Sequence, residues 1–205
     1  MVEILIRAVE THGDLDPYTK AYVIKIGAGW IFDLKGKQLR EAMELALIAR
    51  ELPLVRVVGE GDSRFQVVHA ELDAWEKSVE YAVSDADIDA DMEVAPETFI
   101  TGAKEAGDWI MRAKWGRSLI NRVRKEMAAP LPRPDCSPIY CGHTIVPVPV
   151  QIGNHVYLDT GGFLVGDEDH KKAGLTLVCP SEAIAWTDNG KRLHETTIKR
   201  LDLVA

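Results

Sequence analysis

Two histidines stand where a protein can do chemistry. His69 closes the run Phe65-Gln66-Val67-Val68-His69-Ala70, and His143 follows Ile139-Tyr140-Cys141-Gly142. Both runs are β-branched or aromatic, so each reads as a buried strand carrying an imidazole at its C-terminal end. Strand ends of a mixed sheet are rigid and open onto loops, which is where ligands and metals collect. Neutral imidazole is the commonest nitrogen ligand for zinc, manganese or iron. Gly142 would let the backbone approach whatever His143 touches. Spacing alone leaves a second reading open, in which each imidazole is a hydrogen-bonded core residue.

Other chemical-looking groups read more plainly. A calcium loop starting at Asp85 in Asp85-x-Asp87-x-Asp89-x-Asp91 needs Gly at its sixth position and Glu at its twelfth, where Ala90 and Pro96 stand. The run is therefore expected to be a solvated, irregular acidic loop over residues 84–97. His12-Gly13-Asp14-Leu15-Asp16 reads as a helix C-cap at Gly13. His155, His170 and His194 sit in polar or turn contexts and are expected at the surface. Cys136, Cys141 and Cys179 are odd in number and lack CxxC spacing. This argues against a disulfide framework or zinc knuckle and for reduced thiols in a cytoplasm.

The elements that position these groups follow from periodicity. Val2, Leu5, Ile6 and Val9 have helical spacing. Residues 27–30 form a Gly-rich loop, and 37–52 a second helix with Leu39, Met43, Ala46 and Leu47 along it. Residues 55–58 and 65–69 make a hairpin across Gly59, Gly61 and Asp62. Residues 101–127 lack proline and read as one long helical stretch. Pro130, Pro132, Pro134 and Pro138 then impose an extended connector. Short strands are expected at 139–141, 146–150, 155–158, 175–178 and 183–186. The whole reads as one α+β domain over 1–205: helical over 1–52 and 101–127, a β-hairpin over 53–73, and β-rich over 138–187.

Composition narrows the class. The 205 residues are 46% hydrophobic and 27% charged, with a formal net charge of −8. Negative charge spread along the chain repels a phosphate backbone, and the two basic groups, 122–133 and 191–200, interleave no aromatics. Nucleic acid is not an expected partner. No run of about 18 apolar residues is present to span a bilayer, and Glu3, Arg7 and Glu10 interrupt any signal-peptide core. A cytoplasmic chain with no membrane partner is the expectation.

A resemblance sharpens the reading. Cys141-Gly142-His143-Thr144, then Val148-Pro149-Val150, Gly153-Asn154 and Leu158-Asp159-Thr160-Gly161, are similar in order and spacing to the GHT … DTG block of lambda-type serine/threonine protein phosphatases. Glu51-Leu52-Pro53-Leu54 leading to Val68-His69-Ala70 resembles their ELPL … VxHA segment, and Trp115-Gly116-Arg117 their Trp-x-Arg element. Residues 27–34 resemble the Gly-rich stretch before that segment, so the similarity runs over about 27–186. The resemblance implies the α+β sandwich of the calcineurin-like metallophosphoesterases and a two-metal site that activates water. His69 and His143 would ligate one metal (manganese, or iron or zinc), and Arg117 would clamp the phosphate. The substrate would be a phosphoprotein or small phosphoester.

The family's GDxHG, GDxxDRG and GNHE motifs do not occur. The chain is thus expected to correspond to a C-terminal half, without the N-terminal βαβ units, supplying part of a site that a missing N-terminal half completes. Two alternatives accompany it. One is an inactive binding or regulatory module derived from a phosphatase. The other is the C-terminal half of a dinucleoside tetraphosphate hydrolase, whose family shares GHT … DTG.

Overall fold

The structure is a computed structural model that describes residues 6–7, 10–11, 14–25, 28–50, 52–76, 79–81, 83–94, 108–126 and 129–201. Most of the helix expected at 2–10, the C-cap at Gly13 and the start of the stretch at 101–127 lie outside the described residues. The chain divides into two compact units, one formed by 1–53 with 95–104, the other by 54–94 with 105–205.

In the first unit, helix α1 (Pro17–Lys25) begins on a proline whose missing amide is one that a helix start leaves unbonded anyway. Asp16 caps it, accepting hydrogen bonds from the amides of Tyr18 (3.1 Å) and Thr19 (3.0 Å). The expected loop at 27–30 tightens into a 3-10 turn, Gly29–Asp33, before α2 (Gly36–Arg50). Val23, Ala28 and Ile31 form a small core against which Leu39 and Met43 of α2 pack. Leu45, Leu47 and Ile48 of the same helix face solvent.

The second unit is built on a six-stranded mixed sheet. Its strands are β1 (Val55–Val58), β2 (Phe65–Val68), β5 (Ile139–Cys141), β6 (Val150–Ile152), β7 (His155–Tyr157) and β11 (Lys199–Arg200), in the order β1-β2-β5-β7-β6-β11. The β1–β2 hairpin is antiparallel, as its turn residues predict. The section that follows is not uniformly antiparallel, because β5 runs parallel to both β2 and β7. All three residues of β5 are buried, as are all three of β7, in keeping with strands covered on both faces. The strand expected from 146 starts only at Val150, since Pro147 and Pro149 have no amide to give to a ladder.

A second, antiparallel sheet joins β8 (Leu175–Cys179), β9 (Ile184–Asp188) and β10 (Leu193–Thr196), in the order β10-β9-β8. A short hairpin, β3 (Ala74–Glu76) with β4 (Val79–Tyr81), has no counterpart in the sequence reading. The architecture is therefore α+β, with one mixed and one antiparallel sheet. No helix among the described residues is long and apolar enough to cross a membrane.

Two helical expectations need correction. The acidic segment is helix α3 (Asp85–Val94), not an irregular loop. Ser84 and Asp87 form a reciprocal cap: Asp87 accepts from the Ser84 amide (2.8 Å), and the Ser84 hydroxyl accepts from the Asp87 amide (3.1 Å). Carboxylates in the first turn also complement the helix dipole. The stretch ending at 127 is two helices, α4 (Asp108–Trp115) and α5 (Ser118–Glu126), interrupted at Gly116-Arg117. A Cβ on Gly116 would lie 2.7 Å from the Arg112 carbonyl and 2.9 Å from the Glu71 Cβ, so only glycine fits that close passage.

Candidate functional site

The parallel pairing of β2 with β5 decides the geometry. Val68 stands opposite Cys141 in the ladder, and the Gly142 amide donates to the His69 carbonyl at 3.0 Å. His69 and His143 thus leave the sheet at the same end, although 74 residues separate them in sequence. His69 Nε2 lies 3.0 Å from His143 Nδ1, and the ring centroids are 4.7 Å apart.

His143 holds this position at φ +61, in the left-handed region that a side chain other than Gly, Asn or Asp adopts at a cost of roughly 1 kcal/mol or more. Gly142 is not the strained residue. A Cβ there would meet the His69 carbonyl oxygen at 3.6 Å and the Asp159 Cβ at 3.8 Å, both ordinary contacts. The backbone freedom is spent one residue later.

Trp115, at the end of α4, packs edge-on against His143, with centroids 5.7 Å apart and planes at 75°. Arg117, in the break before α5, donates through Nη2 to the His143 carbonyl at 3.3 Å. Asp159 follows β7, and its charge acts on both imidazoles. Its own carboxylate accepts from the Gly161 amide at 2.9 Å. Desolvation lowers the His69 pKa, opposed by Asp159 and reinforced by Arg117. Desolvation, the Arg117 charge and His69 together bring His143 down to about 4. Both rings are therefore neutral at pH 7, the form that ligates metals.

The donor set can be tested against a metal. The 3.0 Å between His69 Nε2 and His143 Nδ1 is a hydrogen-bond distance, at which one ring carries the N–H that points at the other. Tetrahedral ligands about 2.1 Å from one ion lie about 3.4 Å apart, so the rings would have to exchange this hydrogen bond for a shared ion. Among the described residues there is no group of three or more His, Cys, Asp or Glu side chains that could hold a metal ion. The described residues offer these two rings, and a complete shell needs donors from outside this pair.

Around the site lies a buried polar frame that the sequence reading missed. Glu71 is fully buried. It accepts from the amides of Leu119 (2.9 Å) and Ile120 (3.1 Å) and from the Tyr157 hydroxyl (2.8 Å). His155, expected at the surface, is also fully buried. Its Nε2 accepts from the Leu72 amide at 3.1 Å and its Nδ1 lies 3.4 Å from Asp73. A lone acid in Ala70-Glu71-Leu72 and a His after Gly153-Asn154 carry no spacing signal; only their neighbours in space define them. His170 and His194 are exposed, as expected.

The chain matches no protein-family model, and no curated protein matches it.

Proposed function

We propose that this chain carries part of the active site of a metal-dependent phosphoester hydrolase resembling the serine/threonine protein phosphatases. The observation that supports this reading is the meeting of two imidazoles 3.0 Å apart at one end of the sheet, with His143 held there in a left-handed backbone conformation. Strain of this kind persists only where the surrounding fold enforces it, and it clusters at functional sites.

In such an enzyme a pair of divalent ions, manganese or else iron or zinc, would polarise the phosphoryl group and activate water. The residues of this chain would do three things. His69 and His143 would supply two nitrogen ligands to one ion. Trp115 would fix the His143 ring from its edge. Arg117, anchored by one N–H on the His143 carbonyl, would keep the rest of its planar fork for phosphate oxygens, which a lysine cannot match. The α+β architecture, with one mixed and one antiparallel sheet, is compatible with a metallophosphoesterase sandwich. The substrate would be a phosphoprotein or a small phosphoester, and the remaining ligands would come from another polypeptide segment.

The two-donor set favours a second reading, a phosphatase-derived module that binds without hydrolysing. Equilibrium dialysis against Mn2+ tests the common part of both. Wild-type chain should take up the ion, and H69A, H143A and the double variant should lose that uptake. Equal uptake by wild type and double variant would refute the site. Turnover of p-nitrophenyl phosphate in excess Mn2+, lost in R117A, separates enzyme from binding module.

A further inference from the structure

We infer that Glu71 is a positioning residue of the candidate site, joining the segments that carry His69, Arg117 and Asp159 through one carboxylate. The inference rests on the reading of His69, His143 and Arg117 given above.

The connections all fall within three residues of a site group. Glu71 itself lies two residues after His69. Its Oε2 accepts from the amide of Leu119, two residues after Arg117, and its Oε1 from the amide of Ile120. Oε1 also accepts from the hydroxyl of Tyr157, two residues before Asp159. The Ser118 hydroxyl adds a longer contact to Oε2 at 3.4 Å. One side chain thus fixes the exit of β2, the start of α5 and the end of β7.

The chemistry requires a carboxylate. All the groups that reach it are donors, and the N-terminus of α5 adds the positive end of its dipole, which offsets the cost of burying the charge. A glutamine would keep one acceptor oxygen but turn an NH2 towards groups that also donate. Neighbouring contacts tighten the same segment: the Ala70 amide donates to the Ala113 carbonyl (2.9 Å), and Arg112 Nε donates to the Leu72 carbonyl (2.8 Å). Gly116 passes so close to Glu71 that the helix break carrying Arg117 and the carboxylate must be built together. Glu71 hydrogen-bonds to neither His69 nor His143; it acts on His69 through the two residues of chain between them, and on His143 through the Arg117 segment, whose guanidinium donates to the His143 carbonyl.

The experiment compares wild type with E71Q, E71A, Y157F and the control Q66A. Gln66 is fully buried on β2 and bonded to Asp85, so its loss destabilises the same strand without touching the Glu71 connections. Two readouts are used: long-range 1H–15N spectra of the histidine rings, which report the His69–His143 pairing, and titration with Co2+ alone. E71Q and E71A should lose the ring pairing and weaken Co2+ binding by about 10- to 100-fold, the range typical of residues that support metal ligands. Y157F should give a smaller change of the same sign. Q66A should keep both properties at an equal or larger loss of urea stability.

Retention of pairing and of Co2+ affinity within about twofold in E71Q would overturn the inference. So would equal loss in Q66A, which would mark Glu71 as merely structural. If E71A does not fold, E71Q and Y157F decide. If wild type binds no Co2+ at these rings, the metal-site reading fails, and the ring spectra alone decide the positioning role.

Discussion

Removing the Asp85 carboxylate should destabilise the second unit by an amount that can be worked out from its partners. Asp85 begins α3 and accepts from Gln66 Nε2 (2.7 Å), the Ser137 amide (2.9 Å) and the Ser137 hydroxyl (2.6 Å). Arg64 Nε adds an ion pair at 3.3 Å. D85A leaves the amide of the fully buried Gln66 without this acceptor, and each buried polar group so orphaned costs about 1–3 kcal/mol. Water can reach the half-buried Ser137 and recover part of its loss, so the expected cost is about 2–4 kcal/mol in total. At about 2–4 °C per kcal/mol for a chain of this size, the melting temperature should fall by roughly 4–16 °C.

Acid should act through the same group. Burial of Asp85 opposes ionisation, but the Ser137 hydroxyl and amide, Gln66 and the Arg64 charge outweigh it and hold the carboxyl below its ordinary 3.8. A carboxyl with a depressed folded pKa contributes stability that is fully present above about 3.8 and is lost as pH falls through the folded value, because the unfolded chain binds the proton first. D85N should remove this component and flatten the acid limb of stability against pH. Thermal and urea unfolding followed by circular dichroism from pH 7 down to pH 3 measure both effects. A D85A melting temperature within about 2 °C of wild type, or identical acid limbs for wild type and D85N, would refute the reasoning.

Three further outcomes follow from single positions. G116A should cost about 1–3 kcal/mol by urea unfolding, because its Cβ would be forced against the Arg112 carbonyl and Glu71. G142A should change stability by less than about 1 kcal/mol, since its Cβ finds only ordinary contacts. H143G should be at least as stable as H143A, by up to about 1 kcal/mol, because glycine accepts φ +61 without strain while both variants lose the ring. Native-state alkylation followed by mass spectrometry should label the half-buried Cys179 first. Burial pushes the Cys136 thiol up to about 12 and Cys141 well above its ordinary value, so labelling of either ahead of Cys179 would contradict the structure.

The sequence by itself determined the local pieces: the β1–β2 hairpin, the strand that ends in Cys141, the helix at Gly36–Arg50, and the choice of His69 and His143 as the groups worth watching. These depend on interactions within a few residues, namely alternation of apolar side chains, turn residues and proline's missing amide, so they are legible along the chain. The acidic helix misled because four aspartates read as like-charge repulsion. The Ser84–Asp87 cap and the Gln66 and Arg64 contacts to Asp85 reverse that balance only once β2 is in place. Tertiary structure alone decided that β5 lies parallel to β2. That pairing carries two imidazoles 74 residues apart to a 3.0 Å separation, because neighbouring parallel strands present their C-terminal ends on the same edge of a sheet. It also decided the role of Glu71. A buried carboxylate is tolerable only where donors from several segments converge on it, and no spacing within one segment can encode that convergence.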